Sequence, residues 1–269
     1  MSASESSLRV LITGAGSGLG RALAQRYAQR GARVCCVDRD LARAEETQRG
    51  LTGQGHLALH ADVDLDASMQ ALHEAVVQAW GGIDLLFNNA GIASGGAMVA
   101  TTMEEWEHVI DINLLGVVRG CRLFLPGMLA QKQGKIINTA SFAGLASAPN
   151  MMTYGVSKAA VVALSDQLRA EVLDQGVQVS VICPAFFQTN LLQSWQGDAR
   201  MRKFGEKMMG NAVDTLDEVA DRVVDAVRRG VFLIMPTRRE PGRWRLKRWA
   251  PGLYFRMVRS MARKLAGAG

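Results

Sequence analysis

The chain has 269 residues, enough for one large domain, and its 48% hydrophobic and 21% charged residues are typical of a globular protein rather than a disordered or fibrous one. Its net charge of +6 is uneven: ten basic residues and one acid lie from Arg238 onward, whereas the rest has 21 basic and 24 acidic residues. The positive charge belongs to a tail, so we expect no nucleic-acid partner.

Seven short apolar segments alternate with amphipathic ones along the chain. The predicted strands are residues 8–13, 32–38, 56–61, 83–88, 135–141, 177–183 and 231–236. The predicted helices are residues 19–30, 41–49, 67–80, 103–129, 154–174 and 216–229. This order predicts an α/β fold with a parallel sheet covered by helices on both faces. We expect one domain over residues 1–237, a substrate lid at about 189–214, and a basic extension over 238–269.

The four cysteines lie in apolar stretches without metal-type spacing. We therefore expect reduced core cysteines, a cytoplasmic location and no metal site. The first residues contain no basic segment followed by an apolar one, so we expect no signal peptide. No stretch approaches the ~18 uninterrupted apolar residues of a membrane span.

A glycine-rich turn, TGAGSGLG from Thr13 to Gly20, follows the first predicted strand and opens a helix. Glycines let the backbone turn tightly and approach a pyrophosphate, which free N–H groups and the helix dipole stabilise. The turn predicts a dinucleotide site. Its expected contacts are Gly14, Ser17, Gly18, Leu19 and Gly20.

The second predicted strand ends in Asp38, 24 residues after Gly14. A carboxylate at this place accepts hydrogen bonds from the adenosine ribose and repels a 2′-phosphate, which favours NAD over NADP. Arg39 follows directly and offers a partner for a 2′-phosphate, so NADP stays open. A surface aspartate that caps the next helix is the other interpretation.

Tyr154 and Lys158 are four residues apart and share one face of a predicted helix. A base for alcohol oxidation must be anionic near neutral pH, whereas the pKa of free tyrosine is about 10. A neighbouring ammonium group favours the phenolate, so we expect Lys158 to lower the pKa of Tyr154. Taken alone, the two residues also fit a surface pair.

Several motifs resemble those of the short-chain dehydrogenase/reductase family. Three residues separate Gly14 from Gly18, NNAG ends at Gly91, and Tyr154 and Lys158 form a YxxxK pair. Between them, NTASFAG, from residue 138 to 144, is similar to the family's NISSxAG pattern. The resemblance covers roughly residues 8–236 and implies a single-domain Rossmann-type, doubly wound, seven-stranded sheet followed by a basic helical tail.

The resemblance also implies a catalytic tetrad of Asn113, Ser141, Tyr154 and Lys158. Ser141 would hold the substrate oxygen, and Asn113 would hold a water that links the lysine to solvent. The implied cofactor contacts, besides the turn and Asp38, are Asp62, Val63, Asn89, Ala90, Gly91, Tyr154, Lys158, Pro184 and Thr189. Ala185 and the bulky Phe186-Phe187 depart from the family's PG segment, and Ala140 replaces a serine, but no catalytic group is lost.

The expected substrate pocket is apolar. Its candidate walls are residues 143–145, 92–95 and the Met-rich segment 186–209, and no arginine cluster is available for a substrate phosphate. We therefore expect a small lipophilic alcohol or ketone, such as a steroid-, retinoid- or fatty-chain-like compound. The family implies a homodimer or homotetramer.

The basic tail contains a helical pattern with two faces. One face is apolar and the other carries arginines; the apolar positions are Tyr254, Met257, Val258, Met261 and Leu265, and the arginines are Arg256, Arg259 and Arg263. Upstream, Trp244 and Trp249 lie among basic residues. Such a helix fits an anionic membrane surface on the inner face of a membrane, and equally a docked helix or a subunit contact.

The sequence thus predicts an NAD(P)-dependent oxidoreductase that acts on CH–OH groups. The alternative is a catalytically silent dinucleotide-binding scaffold or redox sensor, although such a protein has no need of Tyr154 and Ser141. A third hypothesis makes membrane association through the tail the main role.

Overall fold

The computed structural model describes residues 8–187 and 195–266, with side chains up to Arg263. The strands are β1 (Arg9–Thr13), β2 (Arg33–Asp38), β3 (Leu57–His60), β4 (Leu85–Asn88), β5 (Ser94–Gly95), β6 (Gly134–Thr139), β7 (Val177–Ile182), β8 (Gln196–Gly197) and β9 (Leu233–Ile234). The helices are α1 (Gly18–Gln29), α2 (Leu41–Arg49), α3 (Asp66–Trp80), α4 (Met103–Ile110), α5 (Gly116–Gln131), α6 (Ala143–Ala146), α7 (Met152–Val172), α8 (Ala199–Gly210), α9 (Leu216–Arg228), α10 (Glu240–Trp249) and α11 (Pro251–Ala266).

Seven parallel strands form one sheet in the order β3-β2-β1-β4-β6-β7-β9. The predicted seven-stranded Rossmann-type sheet is therefore confirmed. The strand order reverses between β1 and β4, and in such sheets ligands bind at the carboxyl ends of the strands beside this switch point. The last strand is shorter than predicted, because the Val231 N–H bonds back to Ala226 at the end of α9 and Pro236 has no N–H to donate.

The core has two layers, one on each face of the sheet. Along β1, Val10 and Ile12 pack with α1 and α9, whereas Leu11 packs with α3, α5 and α7 on the other face. This alternation follows from the pleat of a strand, which points successive side chains to opposite faces. The four cysteines are buried and free in these layers, as the sequence predicted.

The predicted helix over residues 103–129 consists of α4, a wide π-type turn over Asp111–Leu115, and α5. By length and composition alone, the stretch Met103–Gln131 could cross a membrane. The sequence analysis did not find it, because charged residues interrupt the stretch. Its buried side chains, among them Val109, Val117 and Phe124, belong to the core layer against the sheet. Its hydrophobicity is therefore explained by packing on the sheet.

Three features around the sheet were not predicted. A two-stranded sheet joins β5 to β8, the short helix α6 follows β6, and α8 occupies part of the segment expected to form a lid. The tail contains two helices rather than one helical segment. The first of these helices, α10, ends at Trp249, and α11 begins at Pro251. Proline fits the first position of a helix because the N–H that it lacks would have no partner there.

Candidate active site

A cleft of about 210 Å³ opens at the carboxyl ends of the central strands. The residues around it come from the ends of β1, β2, β3, β4, β6 and β7 and the loops after them, from α1, α2 and α7, and from the turn between α4 and α5. They are Gly14, Ser17, Gly18, Leu19, Asp38, Arg39, Arg43, Ala61, Asp62, Val63, Asn89, Ala90, Gly91, Ile92, Ile112, Thr139, Ala140, Tyr154, Lys158, Pro184 and Phe187. The cleft thus lies at the switch point of the sheet.

The glycine turn forms one wall of this cleft. Gly14 and Gly18 have φ values of 65° and 50°, in the left-handed region that favours glycine. Ser17 is the N-cap of α1 but its side chain makes no capping bond, and no acid lies in the first helical turn. The wall therefore combines a close backbone approach with the positive end of a helix dipole, which suits a phosphate group.

Gly20 does not line the cleft, contrary to its predicted role. A Cβ added at this position would lie 2.2 Å from the carbonyl oxygen of Gly14 and 2.7 Å from Nδ2 of Asn89. Gly20 therefore allows α1 to pack against the turn and against the loop after β4.

Thr189, the other predicted cofactor contact that is absent from the cleft lining, lies outside the described residues.

Asp38 lies at the end of β2 and lines the cleft. Its Oδ2 accepts a hydrogen bond from the Gly16 N–H at 2.9 Å, and its Oδ1 accepts one from the Asp40 N–H at 3.1 Å. A carboxylate has further acceptor sites, so these bonds leave capacity for a ligand hydroxyl. Arg39 and Arg43 line the same end of the cleft and would attract a phosphate.

The loop after β3 supplies Asp62 and Val63 to the cleft. The Asp62 N–H donates to Ser68 Oγ at 2.9 Å, which ties this loop to α3. Behind it, burial and the neighbouring Asp62 raise the pKa of Asp64. A polar and an apolar side chain therefore lie side by side here, at two of the cofactor contacts that the family resemblance implies.

The NNAG segment connects the cleft to the sheet. Asn89 donates from Nδ2 to the Thr13 carbonyl at 3.0 Å, and Thr13 Oγ1 accepts from the N–H groups of Asn89 and Ala90, both at 3.0 Å. Asn88 donates to Asn138 Oδ1 at 2.9 Å inside the core. The ends of β1, β4 and β6 are therefore held together by amide groups beneath the cleft.

Tyr154 and Lys158 lie on the buried face of α7, and both line the cleft. The Lys158 Nζ donates to the Thr139 carbonyl at 3.0 Å and lies 5.9 Å from the centre of the Tyr154 ring. Ser141 follows β6, and its Oγ accepts from the Ala143 N–H at 3.1 Å. The fold thus brings a phenol and an ammonium group to the cleft, with the Ser141 hydroxyl next to the phenol.

Asn113 lies in the wide turn between α4 and α5 and is fully buried. Its side chain brackets the backbone of Ile92: Oδ1 accepts from the N–H at 2.9 Å and Nδ2 donates to the carbonyl at 3.0 Å. Nδ2 also donates to Ser157 Oγ at 3.2 Å. A Cβ at Gly91 would lie 2.8 Å from Asn113 Oδ1 and 3.2 Å from Lys158 Nζ. Gly91 therefore allows the asparagine and the lysine to approach the same loop.

Burial dominates the titration of the Tyr–Lys pair. It raises the pKa of Tyr154, although the hydrogen bond with Ser141 opposes this shift, and it lowers the pKa of Lys158 to about 8. In this structure burial is the largest effect, so the pKa of Tyr154 is raised rather than lowered as the sequence predicts. Two residues near the pair were not predicted. Cys183 interacts electrostatically with both side chains, and the Thr139 carbonyl binds the lysine. In the sequence, Cys183 directly precedes Pro184 and Thr139 lies two residues before Ser141, and this closeness to predicted site residues could have identified them.

The substrate side has its own packing. Phe204 of α8 contacts Phe186 edge-on at 6.4 Å between ring centres, and Gly95 of β5 leaves room for the Trp195 ring, which a Cβ would approach to 2.7 Å. The described part of the predicted lid is thus docked through aromatic side chains beside the loops after β4 and β7.

The tail helices pack beside the loop that follows Ser141. Lys247 Nζ donates to the Leu145 carbonyl at 2.5 Å and to Ser147 Oγ at 2.8 Å, and the Tyr254 hydroxyl donates to the Ala146 carbonyl at 2.8 Å. These bonds satisfy carbonyls at the end of α6 that have no partner within the helix. The tail therefore holds the segment that follows Ser141.

The predicted apolar face of the tail is split in the structure. Tyr254 and Val258 are buried, whereas Met257 and Met261 are exposed. Leu265 lies beyond the described side chains. At 100° per residue Met257 lies about 60° and Met261 about 20° from Tyr254 around the helix, so the edge of the docked face runs through this apolar arc.

Known proteins with similar sequences include oxidoreductases. The chain matches the family model described as short chain dehydrogenase over residues 9–200. It is 33% identical to 2-(R)-hydroxypropyl-CoM dehydrogenase of Xanthobacter autotrophicus over 78% of this chain and 88% of that protein. It is 34% identical to dehydrogenase/reductase SDR family member 7B of Mus musculus over 95% and 81% of the two chains.

Two solved structures with a similar fold are also short-chain dehydrogenases. A short-chain dehydrogenase/reductase from Burkholderia phymatum in complex with NAD has a TM-score of 0.86 and 31% identity, over 94% of this chain and 96% of that one. A short-chain dehydrogenase from Sphingobium yanoikuyae in complex with NADPH has a TM-score of 0.78 and 30% identity, over 92% and 95%.

Proposed function

The chain belongs to the short-chain dehydrogenase/reductase family, and on that premise we propose that it transfers a hydride between NAD(H) and a lipophilic secondary alcohol or ketone. As a member of the family it is an oxidoreductase that acts on CH–OH groups with a nicotinamide cofactor. The preference for NAD and the lipophilic substrate are the proposed parts. Free, buried cysteines also suit a reducing compartment such as the cytoplasm, where we propose that it acts.

One arrangement supports this proposal above all. Tyr154 and Lys158 line the same cleft as the glycine turn and Asp38. An acid/base pair and a phosphate-binding turn in one cleft are what hydride transfer from a dinucleotide requires. The glycine cradle and the free acceptor capacity of Asp38 fit such a cofactor.

The residues of this chain move the proton. The bound nicotinamide supplies or accepts the hydride. In reduction, the Tyr154 hydroxyl donates its proton to the substrate carbonyl oxygen; in oxidation, the same oxygen accepts the alcohol proton. The raised pKa of Tyr154 keeps the acid form at neutral pH, which favours reduction there. Oxidation is expected to speed up toward alkaline pH.

The neighbours of Tyr154 position and support it. Lys158, with a pKa of about 8, is mostly protonated at pH 7 and stabilises the phenolate when it forms. Its bond to the Thr139 carbonyl fixes it under the cleft. Ser141, whose hydroxyl neighbours Tyr154, is proposed to orient the substrate oxygen. Asn113 fixes the Ile92 loop that forms the opposite wall.

The proposed NAD preference depends on Asp38. The variant Asp38→Asn keeps an acceptor oxygen for the Gly16 N–H but removes the charge that repels a 2′-phosphate, while Arg39 and Arg43 stay. We expect the NAD-to-NADP ratio of kcat/KM to fall by roughly tenfold, which corresponds to about 1.4 kcal/mol. A wild-type enzyme that prefers NADP contradicts the proposed role.

The proposed substrate class rests on the apolar side chains of the cleft and its border. Ile92, Ile112 and Phe187 line the cleft, and the aromatic contact of Phe186 with Phe204 adds an apolar border. Two similar proteins, 2-(R)-hydroxypropyl-CoM dehydrogenase and the meso-2,3-butanediol dehydrogenase of Serratia marcescens, have names that specify secondary alcohols. We infer that this chain takes a secondary alcohol or ketone with an apolar substituent.

The test is cofactor-dependent turnover on secondary alcohols and ketones of increasing chain length, with NAD(H) and NADP(H) in parallel. Tyr154→Phe should lower kcat by about 100- to 10,000-fold, the usual contribution of an acid/base group. Tyr27→Phe is the matched control, because this ring packs against Phe87 in the core, away from the cleft. Cofactor binding without turnover on any compound would instead favour the silent scaffold or redox sensor.

A further inference from the structure

The tail carries exposed apolar side chains that the proposed reaction does not use. In α11, Leu253, Met257 and Met261 recur every four residues along one line and are exposed, although Tyr254 and Val258 of the same helix are buried. Trp249, at the end of α10, is 80% exposed, and Phe255 is 65% exposed. Grouped apolar side chains in water mark a surface that binds a partner.

Unpaired arginines lie beside this apolar line. Arg256, Arg259 and Arg263 are exposed, and within the described part of the chain no acid pairs with them. Other cations of the tail have partners: Arg243 pairs with Glu240, and Arg238 with Asp214 and Glu218. At 100° per residue, Arg256 lies next to the line of Leu253 and Met257. We call Leu253, Met257, Met261, Arg256 and Arg259 the tail surface.

We propose that the tail surface docks on an anionic lipid bilayer. Its apolar side chains would enter the boundary between headgroups and acyl chains, its arginines would pair with anionic headgroups, and Trp249 suits the interfacial layer. Charge favours this occupant over a second copy of the chain. A two-fold contact through the tail surface would bring the same arginines together, whereas an anionic bilayer neutralises them.

Docking in this way leaves the tail bound to the enzyme. The adjoining face of α11 is already held by the Tyr254 hydroxyl on the Ala146 carbonyl, and α10 by Lys247 on Leu145. The helix therefore presents the tail surface without leaving α6. The inference does not depend on the substrate proposed above, since it concerns groups outside the cleft.

Co-sedimentation of the full-length protein with vesicles tests the proposal. Phosphatidylcholine vesicles with about one third phosphatidylserine are compared with phosphatidylcholine alone, at low and high salt. We expect binding to the anionic vesicles only, and weaker binding at high salt because exposed charges are screened. Arg256→Gln/Arg259→Gln should lower the partition coefficient about 30-fold, since each arginine near such a surface contributes roughly fivefold.

Two further variants separate charge from apolar contact and from general effects. Leu253→Ser/Met257→Ser keeps all cations and should also lower binding, by about tenfold or more, because both side chains would leave the apolar layer. The control Arg228→Gln/Arg229→Gln removes the same charge from an exposed site at the end of α9 and should bind as the wild type does. Unchanged melting temperatures verify that all variants are folded.

Several results would overturn the proposal. They are the absence of sedimentation with anionic vesicles, equal binding of the control and the tail variants, or equal binding to neutral and anionic vesicles. Sedimentation equilibrium without lipid gives another: an oligomer that Leu253→Ser/Met257→Ser dissociates would assign the tail surface to a second copy of the chain.

Discussion

The site has a cofactor half around the glycine turn and a second half, made of the loop after Ser141, α6 and the tail helices that pack on it, and the two are held by different means. Around the glycine turn, backbone approaches backbone, as at Gly20 and Gly14, and one carboxylate ties β2 to the turn. Around the serine loop, side chains from the tail reach the carbonyls of α6. The glycine turn tolerates almost no added atom, and neither does Gly144 after Ser141, where a Cβ would meet the backbone of Lys158 and Ala159; the tail helices, by contrast, have open space at Gly242. A phosphate site made of backbone suits one fixed ligand, while a wall made of side chains can vary with the substrate.

The largest expected effect is at Gly20. In Gly20→Ala the new Cβ would meet the Gly14 carbonyl, which is backbone and cannot swing aside. We expect a loss of about 1–3 kcal/mol of stability, typical of overpacking. Cofactor affinity should fall about 100-fold or more, since each 1.4 kcal/mol is tenfold and the turn itself must shift. Fluorescence titration with NADH and thermal melting measure both quantities.

Gly242→Ala is the matched control in the other half. No atom lies within 4 Å of the place that a Cβ would take at this residue, and the residue is helical. Alanine should therefore add about 0.5–1 kcal/mol of stability and leave cofactor binding unchanged. If both alanine variants behaved alike, the difference between the two halves would not exist.

Lys158→Met separates catalysis from stability. The ordinary pKa of lysine is 10.5, whereas burial lowers the pKa of Lys158 to about 8. Between these values the unfolded chain binds more protons, so wild-type stability rises with pH over that window. Below pH 8 the folded protein carries a buried charge that methionine avoids. We expect Lys158→Met to lose activity by about 100-fold or more yet to melt higher at pH 7, by about 2–4 °C for each kcal/mol gained.

That gain should shrink as the pH rises above 8, because wild-type Lys158 then becomes neutral. Melting curves at several pH values check it, with the exposed Lys203→Met of α8 as the control for loss of a charge. A variant that melts lower than the wild type at every pH would show that the bond to the Thr139 carbonyl outweighs the cost of burial.

The smallest expected effect is Tyr254→Phe. It removes one hydrogen bond to the Ala146 carbonyl, worth about 1 kcal/mol, and should lower the melting temperature by about 2–4 °C. Because α6 follows Ser141, we expect kcat to fall a few fold while the Kd for NADH is unchanged. A change in cofactor affinity equal to that of Gly20→Ala would contradict the separation of the two halves.

The sequence predicted what depends on local pattern. Apolar segments at regular spacing indicated the seven strands, and the motifs around Gly14 and Tyr154 led to residues that do meet in one cleft. The pairing of Ser94–Gly95 with Gln196–Gly197 involves two residues on each side, too few for a periodic signal. The pKa of Tyr154 depends on burial among distant elements, and helical spacing to Lys158 carries no information on that.

The sequence also could not predict which side of α11 packs on the enzyme. Tyr254, Met257, Val258 and Met261 share one broad apolar arc, and the pattern alone gives no way to divide it. The division comes from one tyrosine hydroxyl reaching a carbonyl of α6, which sets the rotation of α11 about its axis.

The wide turn at Asp111–Leu115 amounts to a one-residue insertion inside a helix. It rotates everything on α4 by about 100° relative to α5, compared with an unbroken α-helix. Removing one residue there would allow a more regular helix and would turn Asn113 away from Ile92. The protein therefore keeps a register defect between α4 and α5, and that defect allows the Asn113 side chain to bind the Ile92 backbone.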